Sequence, residues 1–116
     1  MQKLCVPRPI QQLFLIACLG TALSAQAQTV DVAAAEKLLE SSKCGKCHSA
    51  DKQKDGPSYK KTAAKYKGKA DGESKLYTHM TTAPTVEIDG VKEEHTKIKS
   101  SDEAAVRNVA RYILTR

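Results

Sequence analysis

Five consecutive residues, Cys44-Gly45-Lys46-Cys47-His48, put two thiols and an imidazole on one short stretch of backbone. As a disulfide, a pair this close would close a trivially small loop and staple nothing. The chain around it is small, because 116 residues make one domain. Its aromatic core is thin, with no Trp and only Phe14, Tyr59, Tyr66, Tyr77 and Tyr112. A domain of this size buries only about 60% of its unfolded surface and often leans on a disulfide, a metal or a cofactor. The middle of the fold therefore needs something other than side chains.

The first 27 residues read as a secretory signal. Lys3 and Arg8 precede an apolar run from Leu13 to Leu23, and Ala25-Gln26-Ala27 is a small-x-small cleavage site. The domain is then residues 28–116, starting at Gln28, with 89 residues and a net charge lowered from +6 to +4 by the loss of Lys3 and Arg8. A membrane anchor is the rival reading, but the run falls short of the roughly 20 apolar residues that span a bilayer. A second rival is Leu15-Ile16-Ala17-Cys18, which resembles a lipobox that would lipidate Cys18. With Cys5 and Cys18 removed, a protein exported to the periplasm keeps one cysteine pair and no transmembrane segment.

No repeat or low-complexity segment interrupts residues 28–116. Asp31 is a plausible N-cap for a first helix with Val32, Ala35, Leu38 and Leu39 on one face, ending about Ser42. A second helix follows Gly56-Pro57, with Tyr59, Thr62, Ala63 and Tyr66 on one side and lysines on the other, stopping at Gly68. Gly72 to Met80 gives a third. Ser100 as N-cap with Glu103 as its capping-box partner begins a fourth, through Ala105, Val106, Val109, Ala110, Ile113 and Leu114. Between the last two lies Thr81 to Lys99, where Val86 to Val91 predicts a hairpin about Asp89-Gly90. A loop this long in so small a domain is usually functional or anchored to something.

Cys-x-x-Cys-His is the attachment motif of haem c. Two thiols at this spacing reach the two vinyl groups of one haem as thioethers, and the adjacent imidazole reaches the iron from the same side. Export supports the reading, since covalent attachment takes place outside the inner membrane. A thioredoxin-like redox pair would follow a strand in a βαβ unit, whereas Cys44 follows a helix. Structural zinc held by Cys44, Cys47 and two histidines would need the Cys-x2-Cys…His-x3–5-His spacing, which is absent, and His48 would crowd its neighbour.

Here the chain resembles the small single-haem, class I bacterial cytochromes c. The likeness runs from the helix before Cys44 through Gly56-Pro57-Ser58-Tyr59 and Ala63-Ala64-Lys65-Tyr66 to Asp102-Glu103-Ala104 and Ala110-Arg111-Tyr112-Ile113-Leu114. It implies an all-α fold, about four short helices wrapped around one covalent haem, with the first and last helices crossing. It also implies that the Pro57 carbonyl accepts a hydrogen bond from His48 Nδ1, orienting the proximal ring. The residues alone leave Gly56-Pro57 open to being an ordinary turn.

Members of that family usually supply a Met ligand from the loop shortly before the last helix, and this loop holds no sulfur. Met80 lies 20 residues before Ser100, whereas His95 lies five before it. His95 is therefore the expected sixth ligand opposite His48, with Met80, His79 or no protein ligand as alternatives. Replacing thioether by imidazole should lower the reduction potential. The bland readings are a solvated His95 beside Glu93 and Glu94, and Met80 as core filling.

Ten lysines between Lys43 and Lys75 face only Asp51, Asp55, Asp71 and Glu73. They form either a surface that steers acidic redox partners, with an on-rate that falls as salt rises, or simply a solvated helix face. Export and the lack of interleaved aromatics argue against nucleic acid. The leading function is single-electron transfer, without substrate chemistry and thus without enzymatic activity. The alternatives are a haem protein with an open or labile sixth site that binds a small ligand or reduces peroxide, and a permanent subunit of a dehydrogenase. An enzyme would use Glu93, Glu94 or His79 as its acid or base, and none of these has motif support.

Overall fold

The computed structural model describes residues 28–116; the secretory segment, its cleavage site and Cys18 lie outside the described residues. Among the described residues no helix is long and apolar enough to cross a membrane. Helix α1 spans Val32–Ser41, α2 Tyr59–Tyr66, α3 Gly72–Thr82 and α4 Glu103–Leu114. A one-turn 3-10 helix covers Cys44–Lys46, and strands β1 (Thr85–Ile88) and β2 (Val91–Glu94) pair antiparallel.

Local chemistry sets the helix starts. The Asp31 carboxylate accepts from Ala34 N–H at 2.9 Å to open α1, and the buried Ser58 hydroxyl accepts from Lys61 N–H at 3.1 Å to open α2. For α4 the cap is Asp102 and not Ser100. Its carboxylate accepts from Ala104 and Ala105 N–H at 2.9 and 3.4 Å, while Ser100 Oγ accepts only from Asp102 N–H. A negative charge at the positive end of the helix outcompetes a neutral hydroxyl two residues earlier, which leaves Glu103 as the first helical residue.

Helix α4 is the hub. Val106, Val109, Ala110, Tyr112 and Ile113 are buried along it, against Ala35 and Leu39 of α1 and Leu76 and Met80 of α3. Val32, expected on the inner face of α1, is exposed. Three polar contacts join α1 to α4. Asn108 Nδ2 donates to Asp31 O at 2.7 Å, Asp31 N–H donates back to Asn108 Oδ1 at 2.9 Å, and Tyr112 OH donates to Glu36 at 2.8 Å. Glu73 of α3 accepts from Arg111 at 3.1 Å and Arg107 at 3.4 Å. These part-buried ion pairs fix orientation more than they add stability.

The segment between α3 and α4 is ordered by backbone bonding. Ala83, at φ 49, ends α3 in the left-handed region. The predicted hairpin forms, with Thr85 opposite Glu94 and Ile88 opposite Val91. Its turn has positive φ at both central residues, Asp89 at 51 and Gly90 at 80, the type I′ geometry that an Asp-Gly pair favours. His95 N–H then bonds Pro84 O, and Ile98 N–H bonds Met80 O, both at 2.9 Å.

Candidate functional site

The turn that carries the two thiols is built by the sequence around it. Lys43 adopts φ 61, which redirects the chain out of α1, and the N–H groups of Cys47 and His48 both bond back to Cys44 O, at 3.2 and 3.0 Å. The following loop is strapped onto this turn. Gly56 N–H bonds Cys47 O at 2.8 Å and Lys54 Nζ donates to Gly45 O at 2.6 Å.

His48 is held on two sides. Its Nδ1 lies 2.8 Å from Pro57 O, and a carbonyl can only accept, so Nδ1 carries the proton and Nε2 keeps a free lone pair. On the other side, a Cβ at Gly56 would sit 2.4 Å from His48 Cε1 and 2.8 Å from Nδ1. Glycine is required there for room and not for a special backbone angle. Tyr59 stacks on the imidazole with centroids 5.8 Å apart, and burial, with Cys44 and Tyr112 adding, pushes its phenol up to about 12.

Cys44, Cys47, His48, Tyr59, Met80 and His95 share the wall of one cavity of about 580 Å³. That volume lies in the range of sites that enclose a cofactor, roughly 300–1,000 Å³. Both thiols are half-buried and unbridged. Burial pushes the Cys44 thiol up, with Cys47 adding to the shift.

The His48 and His95 ring centroids are 6.0 Å apart. A metal–imidazole bond is about 2.0–2.1 Å and the ring centre lies ~1.2 Å behind the nitrogen, so two imidazoles sharing one metal have centroids roughly 6.4 Å apart. The observed spacing fits that arrangement. His95 Nδ1 is buried without a well-formed hydrogen bond, which leaves the other ring nitrogen as the one available to the cavity. His79 lines the same cavity but meets His95 edge-on at 4.3 Å, too close for a metal between those two rings. Burial lowers the pKa of both His79 and His95; His95, His48 and Lys65 add to the shift of the first, and His48 adds to that of the second while the Thr96 backbone opposes it. Met80 reaches the cavity wall but is buried in the hydrophobic core. Among the described residues no three His, Cys, Asp or Glu side chains converge as they would on a bare metal ion. The residues fit a flat, largely apolar group carrying its own metal.

The family model for cytochrome c matches residues 32–116. The chain belongs to the cytochrome c family. Its structure is similar to that of the class 1 cytochrome MtoD from Sideroxydans lithotrophicus ES-1, with 50% identity and a TM-score of 0.71 over 75% of this chain and 97% of that one. Cytochrome c552 from Nitrosomonas europaea shares the fold, with 24% identity and a TM-score of 0.55 over 69% of this chain and 96% of that one. No curated protein sequence matches. This class I monohaem cytochrome c uses one covalent haem c and serves as a haem-based electron carrier.

Three features of this cytochrome c escaped the sequence reading. Gly56 was visible only as part of a turn, and nothing in the chain announces that a ring 8 residues upstream needs its missing Cβ. Ser42 is buried, and its hydroxyl accepts from Lys99 N–H at 2.9 Å across 57 residues. The contact of His79 with His95 also depends on how α3 meets the hairpin. Two histidines in one sequence region were a signal, but not of ring-to-ring packing.

Proposed function

We propose that this cytochrome c carries single electrons with Cys44 and Cys47 as its thioether anchors and His48 and His95 as the two iron ligands. The observation that supports this reading is the 6.0 Å spacing of the His48 and His95 ring centroids in a cavity that both cysteines line. When bound, the haem supplies reversible one-electron chemistry at its iron. The chain's own residues do the rest. Pro57 O fixes the His48 tautomer so that Nε2 can ligate, and Gly56 leaves that ring its place. The hairpin closes one side of the cavity with Val86 and Ile88, limiting the access of water. His95, the residue after β2, enters from that same side.

In this reading the protein acts after export to the periplasm, performs no substrate chemistry, and meets acidic redox partners. Lys43, Lys61 and Lys65 line the cavity and are exposed, which suits a partner with carboxylates at its own electron-entry point. Two imidazole ligands place its potential toward the reducing end of its family.

The absorption spectrum of the haem-loaded protein, oxidised and reduced, with and without carbon monoxide, tests the ligand pair. Low-spin haem in both states, no thioether-to-iron charge-transfer band and indifference to carbon monoxide are expected. His95→Ala should abolish the low-spin spectrum and admit carbon monoxide. An unchanged spectrum in that variant removes His95 from the iron, and high-spin iron in the parent protein favours small-ligand binding or peroxide reduction instead.

A further inference from the structure

The two proposed ligands differ in what orients them. A metal-bound imidazole normally donates its second ring nitrogen to a carbonyl or carboxylate, which sets the ring plane. His48 does so through Pro57 O. The buried Nδ1 of His95 makes no well-formed hydrogen bond, and its only backbone neighbour of that kind is Thr96, on the same loop, whose influence on the ring is smaller than that of burial. The backbone anchors the residue through the N–H bond to Pro84 O, but this bond leaves rotation about Cβ free.

The ring that packs against His95 belongs to α3. His79 sits at half-burial on the helix that places Leu76 and Met80 in the core, and Glu73 of the same helix is tied to Arg107 and Arg111 of α4. His79 is thus carried by a rigid element. It meets His95 with centroids 4.3 Å apart and planes at 61°, an edge-to-face contact. In the same arrangement the His95 plane lies at 51° to that of His48. Below the contact, Ile98 N–H bonds Met80 O and keeps the His95 segment registered against the end of α3.

We propose that His79 is the positioning residue for His95, the flat ring packed against it holding the imidazole plane. The proposal rests on His95 being the sixth ligand. The angle between two axial imidazole planes sets the splitting of the iron d orbitals, and therefore the g-values of the ferric protein. Ring orientation is accordingly readable apart from activity.

The test is frozen-solution electron paramagnetic resonance of the ferric, haem-loaded protein in three variants. His79→Leu keeps the apolar volume but has no flat edge, and should shift or broaden the largest g-value while the optical spectrum stays low-spin. His79→Phe restores the edge and should return the parent g-values. Parent g-values in His79→Leu overturn the proposal, because packing volume alone then suffices. A shift of equal size in both variants also overturns it, since a polar atom of His79 and not its edge would be responsible. His95→Ala separates the two readings. If it leaves low-spin iron intact, the ligand assignment has failed. If it abolishes low-spin iron while His79→Leu matches the parent, only the positioning role has failed.

Discussion

The two imidazoles whose ring centres lie 6.0 Å apart in the cavity wall are held by different means. His48 sits within a strap of short-range bonds: its own N–H to Cys44 O, Gly56 N–H to Cys47 O, and its Nδ1 to Pro57 O, all inside 14 residues. His95 follows a two-stranded hairpin, is anchored by one backbone bond to Pro84, and leans on a ring from α3. A two-stranded hairpin has little stability of its own. The His48 side is thus a local structure on which the rest of the fold is laid, whereas the His95 side is positioned by packing. With His48 and His95 as the proposed ligand pair, loss under stress is expected first at His95, and three substitutions sharpen that contrast.

The largest effect belongs to the His48 side. Gly56→Ala puts a Cβ within 2.4 Å of His48 Cε1, so the ring must leave its bond to Pro57 O or the loop must shift. Overpacking of this kind costs roughly 1–3 kcal/mol. A lower melting temperature and a reduced yield of haem-loaded protein are expected, measured by thermal circular dichroism and by haem absorbance per protein. Wild-type values for both would mean that the His48 cradle is more compliant than its contacts imply.

Next is the tie that joins the two sides. Ser42 ends α1 on the thiol side, and its buried hydroxyl accepts from Lys99 N–H at the far end of the His95 loop. Ser42→Ala strands that N–H and should cost about 1–2 kcal/mol. Chemical denaturation measures the loss. Carbon monoxide binding should also become detectable as the His95 loop loosens, with the His48 strap unaffected.

The smallest effect is expected at the hairpin tip. Gly90 has φ 80 with open space around its missing Cβ, so Gly90→Ala tests backbone strain alone and should cost roughly 1 kcal/mol. If amide hydrogen exchange shows the loss confined to residues 85–95, the hairpin responds as a separate unit. A loss spread into Cys44–Pro57 would erase the distinction between the two sides.

Legibility follows the same division. Cys44, Cys47 and His48 declare themselves by spacing, because thiols and imidazole act on one group through a single turn of backbone. The helices were legible from apolar periodicity and the hairpin from Asp89-Gly90, since caps and turns are local chemistry. The sequence points to Ser100 as the cap of α4, whereas Asp102 takes that place, its carboxylate carrying the charge that a helix N-terminus favours.

His95 could be nominated by its position before α4. Its distance from His48 depends on how α3, the hairpin and α4 pack. The sequence by itself determined the attachment motif, the helical content, the turn of the hairpin and the residue types available to an iron. Only the tertiary structure decided that the His95 ring lies 6.0 Å from that of His48, that Gly56 leaves room for the ring of His48, and that His79 packs edge-on against His95. Local geometry is set by bonds and dihedrals within a few residues, whereas ring-to-ring distances are set by side chains meeting across elements that the chain separates.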